Sequence, residues 1–90
     1  MEEGTYYKIT DILTQVYTCL RTADYSKIDE ILDKTNIEES ETELIVALLN
    51  VTTAYSPYLR NYTSFREQSY TVLKKRGINV NKVFSQLEKD

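Results

Sequence analysis

The residues best suited to chemistry lie between Thr52 and Arg66, in TTAYSPYLRNYTSFR. Tyr55, Tyr58 and Tyr62 alternate there with Arg60, Arg66 and hydroxyl side chains, and the stretch leads into a helix expected to start at Thr63 or Ser64. A helix start offers unpaired backbone N–H groups and the positive end of the helix dipole, so with Arg60 or Arg66 beside it the segment could hold a phosphate or a carboxylate. Tyrosines next to such a site could stack a base. The same residue types serve another end, because Tyr and Arg are enriched among the residues that dominate protein–protein binding energy. A purely structural alternative also fits: the rings cover helix ends while the arginines pair with an acidic second helix. The candidate binding residues are Tyr55, Tyr58, Arg60, Tyr62, Thr63, Ser64 and Arg66.

Other chemistry has little to stand on. The chain has no histidine and a single cysteine, Cys19, which lacks the base that a nucleophilic thiol needs and is expected to be buried and inert. No metal is expected, since the carboxylates have neither zinc-ligand spacing nor the Asp/Asn alternation of a calcium loop. Gly4 and Gly77 stand alone, so no phosphate-cradling loop is present. Asp29/Asp33 and Glu38/Glu41 read as solvated carboxylates. Neither an enzyme nor a cofactor is indicated.

The segment before the tyrosine stretch must position it. From Leu44 to Pro57 no residue is charged, and Leu44, Ile45, Val46, Ala47, Leu48, Leu49 and Val51 are too many for one stripe. This predicts a central helix over 41–55 buried on two faces, opened by a Ser40/Glu43 capping box and stopped by Pro57. Ahead of it, Tyr6, Ile9, Ile12/Leu13, Val16/Tyr17 and Leu20 recur at three and four and predict a first helix over 5–21. A short second helix is expected over 26–34, capped by Asp24 or Ser26, with Asn36 as a left-handed terminator and Ile37 as an apolar plug. Ser64 with Glu67 suggests a second capping box, opening a helix with Phe65, Ser69, Val72 and Leu73 inward and Lys74-Lys75-Arg76-Gly77 as its end signal. A last helix, capped by Asn79 or Asn81, would turn Val80, Val83, Phe84 and Leu87 inward. The expected fold is all-α: one compact domain over 1–90, about five short helices around a buried central one.

Charge is distributed unevenly. Residues 24 to 43 hold eight acids against Lys27 and Lys34, a balance of −6; residues 58 to 82 hold six cations against Glu67 alone, a balance of +5. The net charge of −3 argues against nucleic acid or an acidic membrane as partner. Eight tyrosines with no tryptophan exceed what a core of this size can satisfy, so some must face solvent. Tyr6, Tyr7, Tyr17 and Tyr25 could form a second surface, suited to self-association into a homo-oligomer. The acidic opening Met1 to Gly4 is unlike a secretion signal, and one cysteine fits a reducing compartment, so a cytoplasmic protein without a membrane span is expected.

Where LLNVTTAY leads through SPYLRNYTSF to VLKKRGI and KVFSQL, the chain resembles small uncharacterised proteins encoded by bacteriophages, over roughly residues 28 to 87. That resemblance implies a non-enzymatic accessory protein that binds a host or defence protein and inhibits it. It transfers no functional residue. The leading expectation is therefore a small interaction protein working through the Tyr/Arg/Thr surface of residues 52 to 66. The alternative is a binder of a nucleotide or phosphate-bearing ligand at the start of the fourth helix.

Overall fold

The computed structural model describes residues 3–80, without the side chains of 3 and 5–7. Among these residues there are four α-helices and no strand: α1 (Glu3–Arg21), α2 (Tyr25–Lys34), α3 (Thr42–Thr53) and α4 (Tyr62–Lys75). Two short 3₁₀ turns, Ile37–Glu39 and Ser56–Tyr58, lie in the connections before and after α3. The expected last helix, with Asn81, Val83, Phe84 and Leu87, lies outside the described residues, apart from Asn79 and Val80.

Each helix ends for a local reason. α1 closes with the Ala23 N–H donating to the Leu20 carbonyl at 3.2 Å and the Asp24 N–H to the Cys19 carbonyl at 2.8 Å, which requires Ala23 in the left-handed region at φ 55°. Gly77 repeats this geometry after α4, at φ 79°, with N–H groups of Gly77 and Ile78 donating to Lys74 and Leu73 carbonyls. Asp24 then caps α2, its carboxylate accepting from the Lys27 N–H at 3.3 Å, so the helix begins at Tyr25 rather than Ser26. Asn36 is not the left-handed terminator expected of it. Its φ is −82°, and its side chain accepts from the Glu39 N–H, capping the 3₁₀ turn.

The limits of α3 differ from the expected 41–55 at both ends. The Ser40 hydroxyl donates to the Asn36 carbonyl at 2.6 Å, which removes it from the predicted capping box and leaves Glu41 as N-cap without a side-chain bond. At the far end the helix stops at Thr53, four residues before Pro57. Pro57 cannot continue the helix, and the chain leaves it a little earlier, with Ala54 as C-cap and the Tyr55 N–H donating to the Thr52 carbonyl at 3.0 Å.

The helices form a ring of neighbours rather than a shell around one of them: α1 packs on α2 and α3, and α4 packs on α2 and α3. α3 buries both of the expected sets, Leu44/Leu48 with half-buried Val51 and Ile45/Leu49, as adjoining parts of one broad face. Leu44, Ile45, Leu48, Leu49 and Thr52 are buried, Val46 and Val51 half-buried, and Glu43, Asn50 and Thr53 exposed. At 100° per residue the five buried positions span roughly 140° of the helix circumference. Ile9, Val16 and Cys19 of α1, Ile28 and Leu32 of α2, and Phe65, Val72 and Leu73 of α4 complete the core, joined by Ile37, Leu59 and Val80. Tyr17, expected to point inward with Val16, is 52% exposed.

Side-chain bonds set the direction of the α3/α4 pair. The Tyr62 and Thr53 hydroxyls meet at 2.8 Å at one end, and Arg76 donates to Thr42 Oγ1 and to the Glu38 carbonyl, each at 3.0 Å, at the other. α3 and α4 are thus antiparallel. The N-terminal half of α1 shares a cavity wall with Leu44 of α3, and its C-terminal half shares a furrow with Val51 and Ala54, so those two helices run parallel.

Candidate functional site

The tyrosines come together at the pole where α1 and α3 end and α2 begins. The left-handed turn at Ala23 delivers Tyr25 to the first position of α2. The break imposed by Pro57 folds Ser56–Tyr58 into a 3₁₀ turn and carries Tyr58 back over Tyr25. The two rings stack with centroids 5.0 Å apart and planes 14° apart, and Tyr55 meets Tyr25 at 6.3 Å with a 34° tilt. These separations are those of favourable aromatic pairs, worth about 0.5–1.5 kcal/mol beyond area burial. Tyr25 and Tyr55 are half-buried, whereas Tyr58 is 61% exposed.

A furrow of about 660 Å³ extends from this cluster between α1 and α3, flanked by Tyr17 and Tyr55 and lined by Leu20, Val51 and Ala54. Two tyrosine groups far apart in sequence, around helix one and around Pro57, therefore form one face. Tyr6 and Tyr7, expected beside Tyr17 and Tyr25, have side chains outside the described set.

Beside this face, the start of α4 is built by a residue from another helix. Asp29 is only 6% exposed, and its carboxylate accepts from the backbone N–H of Arg60 at 3.2 Å and of Asn61 at 2.9 Å. The Asn61 side-chain amide donates in return to the Asp29 carbonyl at 3.2 Å. The N-cap is thus Asn61, not Thr63 or Ser64, and Ser64 lies inside the first turn, accepting from Gln68 Nε2 at 3.1 Å instead of forming a box with Glu67. The expected link between Arg60 and the acidic second helix exists, but it is made by the Arg60 backbone. A phosphate approaching this helix end would meet the negative charge of Asp29.

The seven candidate residues divide accordingly. Tyr55 and Tyr58 belong to the tyrosine face, with exposed Arg60 two residues further on. Tyr62 is half-buried against Thr53, Thr63 and Ser64 are exposed on the first turn of α4, and the Arg66 guanidinium lies 5.0 Å above the Tyr70 ring. Tyr62, Arg66 and Tyr70, at four-residue spacing, form a separate ridge along α4. Tyr17 and Tyr25, expected on a separate self-association surface, and Asp29, expected to be solvated, are the contributors that residues 52 to 66 do not include; the excess of tyrosine signals the first two, and nothing in the sequence marks the burial of Asp29.

Elsewhere, a cavity of about 410 Å³ at the opposite pole has Ile9, Ile12, Ile31 and Leu44 among its lining residues, with Lys8, Lys34, Glu39 and Glu41 among the others. Among the described residues no three His, Cys, Asp or Glu side chains are grouped to hold a metal ion, Cys19 is a buried free thiol, and no helix is long and apolar enough to cross a membrane. Comparison with protein-family models, with curated proteins and with solved structures finds no match.

Proposed function

We propose that this chain is a non-enzymatic interaction protein that binds a protein partner stoichiometrically through the tyrosine face, with Tyr58, Tyr17 and Tyr55 as anchors and Arg60 and Arg21 at its margin. The observation that carries the proposal is the pairing of exposure with rigidity. Tyr58 and Tyr17 are the large apolar side chains most open to solvent among the described residues, yet Tyr58 is held in place by its stack on Tyr25. A braced aromatic loses little conformational freedom when a partner covers it, which is what makes Tyr effective at the centre of interfaces. The resemblance to phage accessory proteins extends the proposal to a host or defence protein that binding inhibits, in the host cytoplasm.

The nucleotide-binding alternative is weakened by the Asp29 carboxylate, which already takes the two backbone N–H groups ahead of α4. The proposal is tested by capture from a bacterial lysate with the full chain, beside a Tyr17→Ala/Tyr58→Ala variant that still unfolds cooperatively. A protein retained by the first and lost by the second is the expected result. Retention by both, or a thermal shift of the chain with nucleotides in place of any capture, would overturn it.

A further inference from the structure

The furrow between α1 and α3 is chemically one-sided. Leu20, Val51 and Ala54 make it apolar, its polar lining includes Thr14, Asn50 and Arg21, and among the described residues no carboxylate lines it, in a chain whose net charge is −3. Arg21 makes one long bond, 3.4 Å, to the Thr18 hydroxyl, which engages a single one of its N–H donors. Arg21 is the one charged residue among the described residues that line the furrow. The described lining of the furrow therefore carries positive charge where the chain as a whole is anionic.

Its shape is equally specific. α1 and α3 run parallel along it, and Thr14 to Arg21 covers about 10 Å, or two helical turns. A strip of this kind accepts a third helix, whose apolar side chains at i, i+3 or i+4, and i+7 fill the space between the two. We infer that the furrow takes a partner's amphipathic helix of about two turns, apolar on the seated face and carboxylate-rich on its flanks. The inference rests on the interface proposed above and specifies its occupant.

The test uses the isotopically labelled full chain and three designed helical peptides of about 14 residues. One has a leucine face with glutamate flanks, one the same face with lysine flanks, and one glutamate flanks with serine replacing leucine. The first is expected to shift the amides of residues 14–21 and 50–55 and to bind about tenfold more tightly than the second at low salt, an advantage that shrinks as salt is added. The third should not bind, and Arg21→Glu should reverse the preference between the first two. Equal affinity for both flanks, or shifts confined to α4, would overturn the acidic-helix occupant. So would stronger shifts of the same amides by a short single-stranded oligonucleotide, or self-association of the chain lost in Tyr17→Ala, which would make a second copy the occupant. If neither leucine peptide binds but the lysate partner is still lost in Tyr17→Ala/Tyr58→Ala, the helical occupant fails and the interface stands. If that partner too is indifferent to the variant, both fail.

Discussion

Asp29 and Asn61 form a reciprocal pair: the Asp29 carboxylate accepts the Asn61 backbone N–H at 2.9 Å, and the Asn61 side-chain amide returns a bond to the Asp29 carbonyl at 3.2 Å. Together with the Arg60 N–H on the same carboxylate, this ties the middle of α2 to the start of α4. It also fixes the segment that carries Tyr58.

Removing the carboxylate strands two backbone donors at a mostly buried site. Asp29→Ala should cost about 2–3 kcal/mol, since leaving buried donors unsatisfied forfeits their desolvation penalty. Asp29→Asn, which keeps one acceptor, should cost roughly half as much. Urea unfolding measures both, and a loss below about 0.5 kcal/mol for the alanine variant would show the clamp to be unimportant.

The two left-handed helix ends make opposite predictions. Ala23 adopts φ 55° with a side chain, so Ala23→Gly should stabilise by about 0.5–1 kcal/mol. Gly77 at φ 79° has no atom within 4 Å of where a Cβ would stand, so Gly77→Ala should cost about 1 kcal/mol from backbone conformation alone. Destabilisation by Ala23→Gly would contradict the assigned turn.

Ser69 is fully buried in α4 and its hydroxyl has no hydrogen-bond partner among the described residues. Ser69→Ala deletes an unpaired buried polar group and should raise stability by about 1 kcal/mol, roughly 4–8 °C in Tm for a chain of this size. Calorimetry showing a lower Tm would mean that the hydroxyl is satisfied.

Much of this architecture can be read from residue order. The 3.6-residue spacing in α1 and α4, the cap at Asp24 and the Lys74-to-Gly77 ending are local signals, and local physics decides them. Phe65, Ser69, Val72 and Leu73 turn inward as their spacing predicts. Ser40 and Ser64 mislead because their hydroxyls have competing partners, Asn36 and Gln68, that a capping pattern does not weigh. The segment leading into α4 is held by Asp29, roughly thirty residues away, and no local rule reaches that far. The tyrosine face is legible only in half. Tyr55 and Tyr58 stand out in their own stretch, but their union with Tyr25 and Tyr17 depends on which helix ends share a pole.

Tyr25 and Tyr58 should separate stability from binding although their rings touch. Tyr25 is half-buried between two rings, so Tyr25→Ala should cost about 1–2 kcal/mol of folding stability. Tyr58→Ala, at an exposed position, loses only the one stack and should cost about 0.5 kcal/mol, less than Tyr25→Ala. Chemical denaturation of the pair checks this ordering, and equal losses would place Tyr58 in the folding core.

The most direct measurement compares the affinity of the captured partner for the parent, Tyr58→Ala and Arg66→Ala by isothermal titration calorimetry. Tyr58→Ala should weaken binding at least tenfold, about 1.4 kcal/mol, while Arg66→Ala, on the separate α4 ridge, should change it less than about twofold. The reverse order, with Arg66 dominant and Tyr58 silent, would contradict a tyrosine-centred interface and move the binding surface to α4.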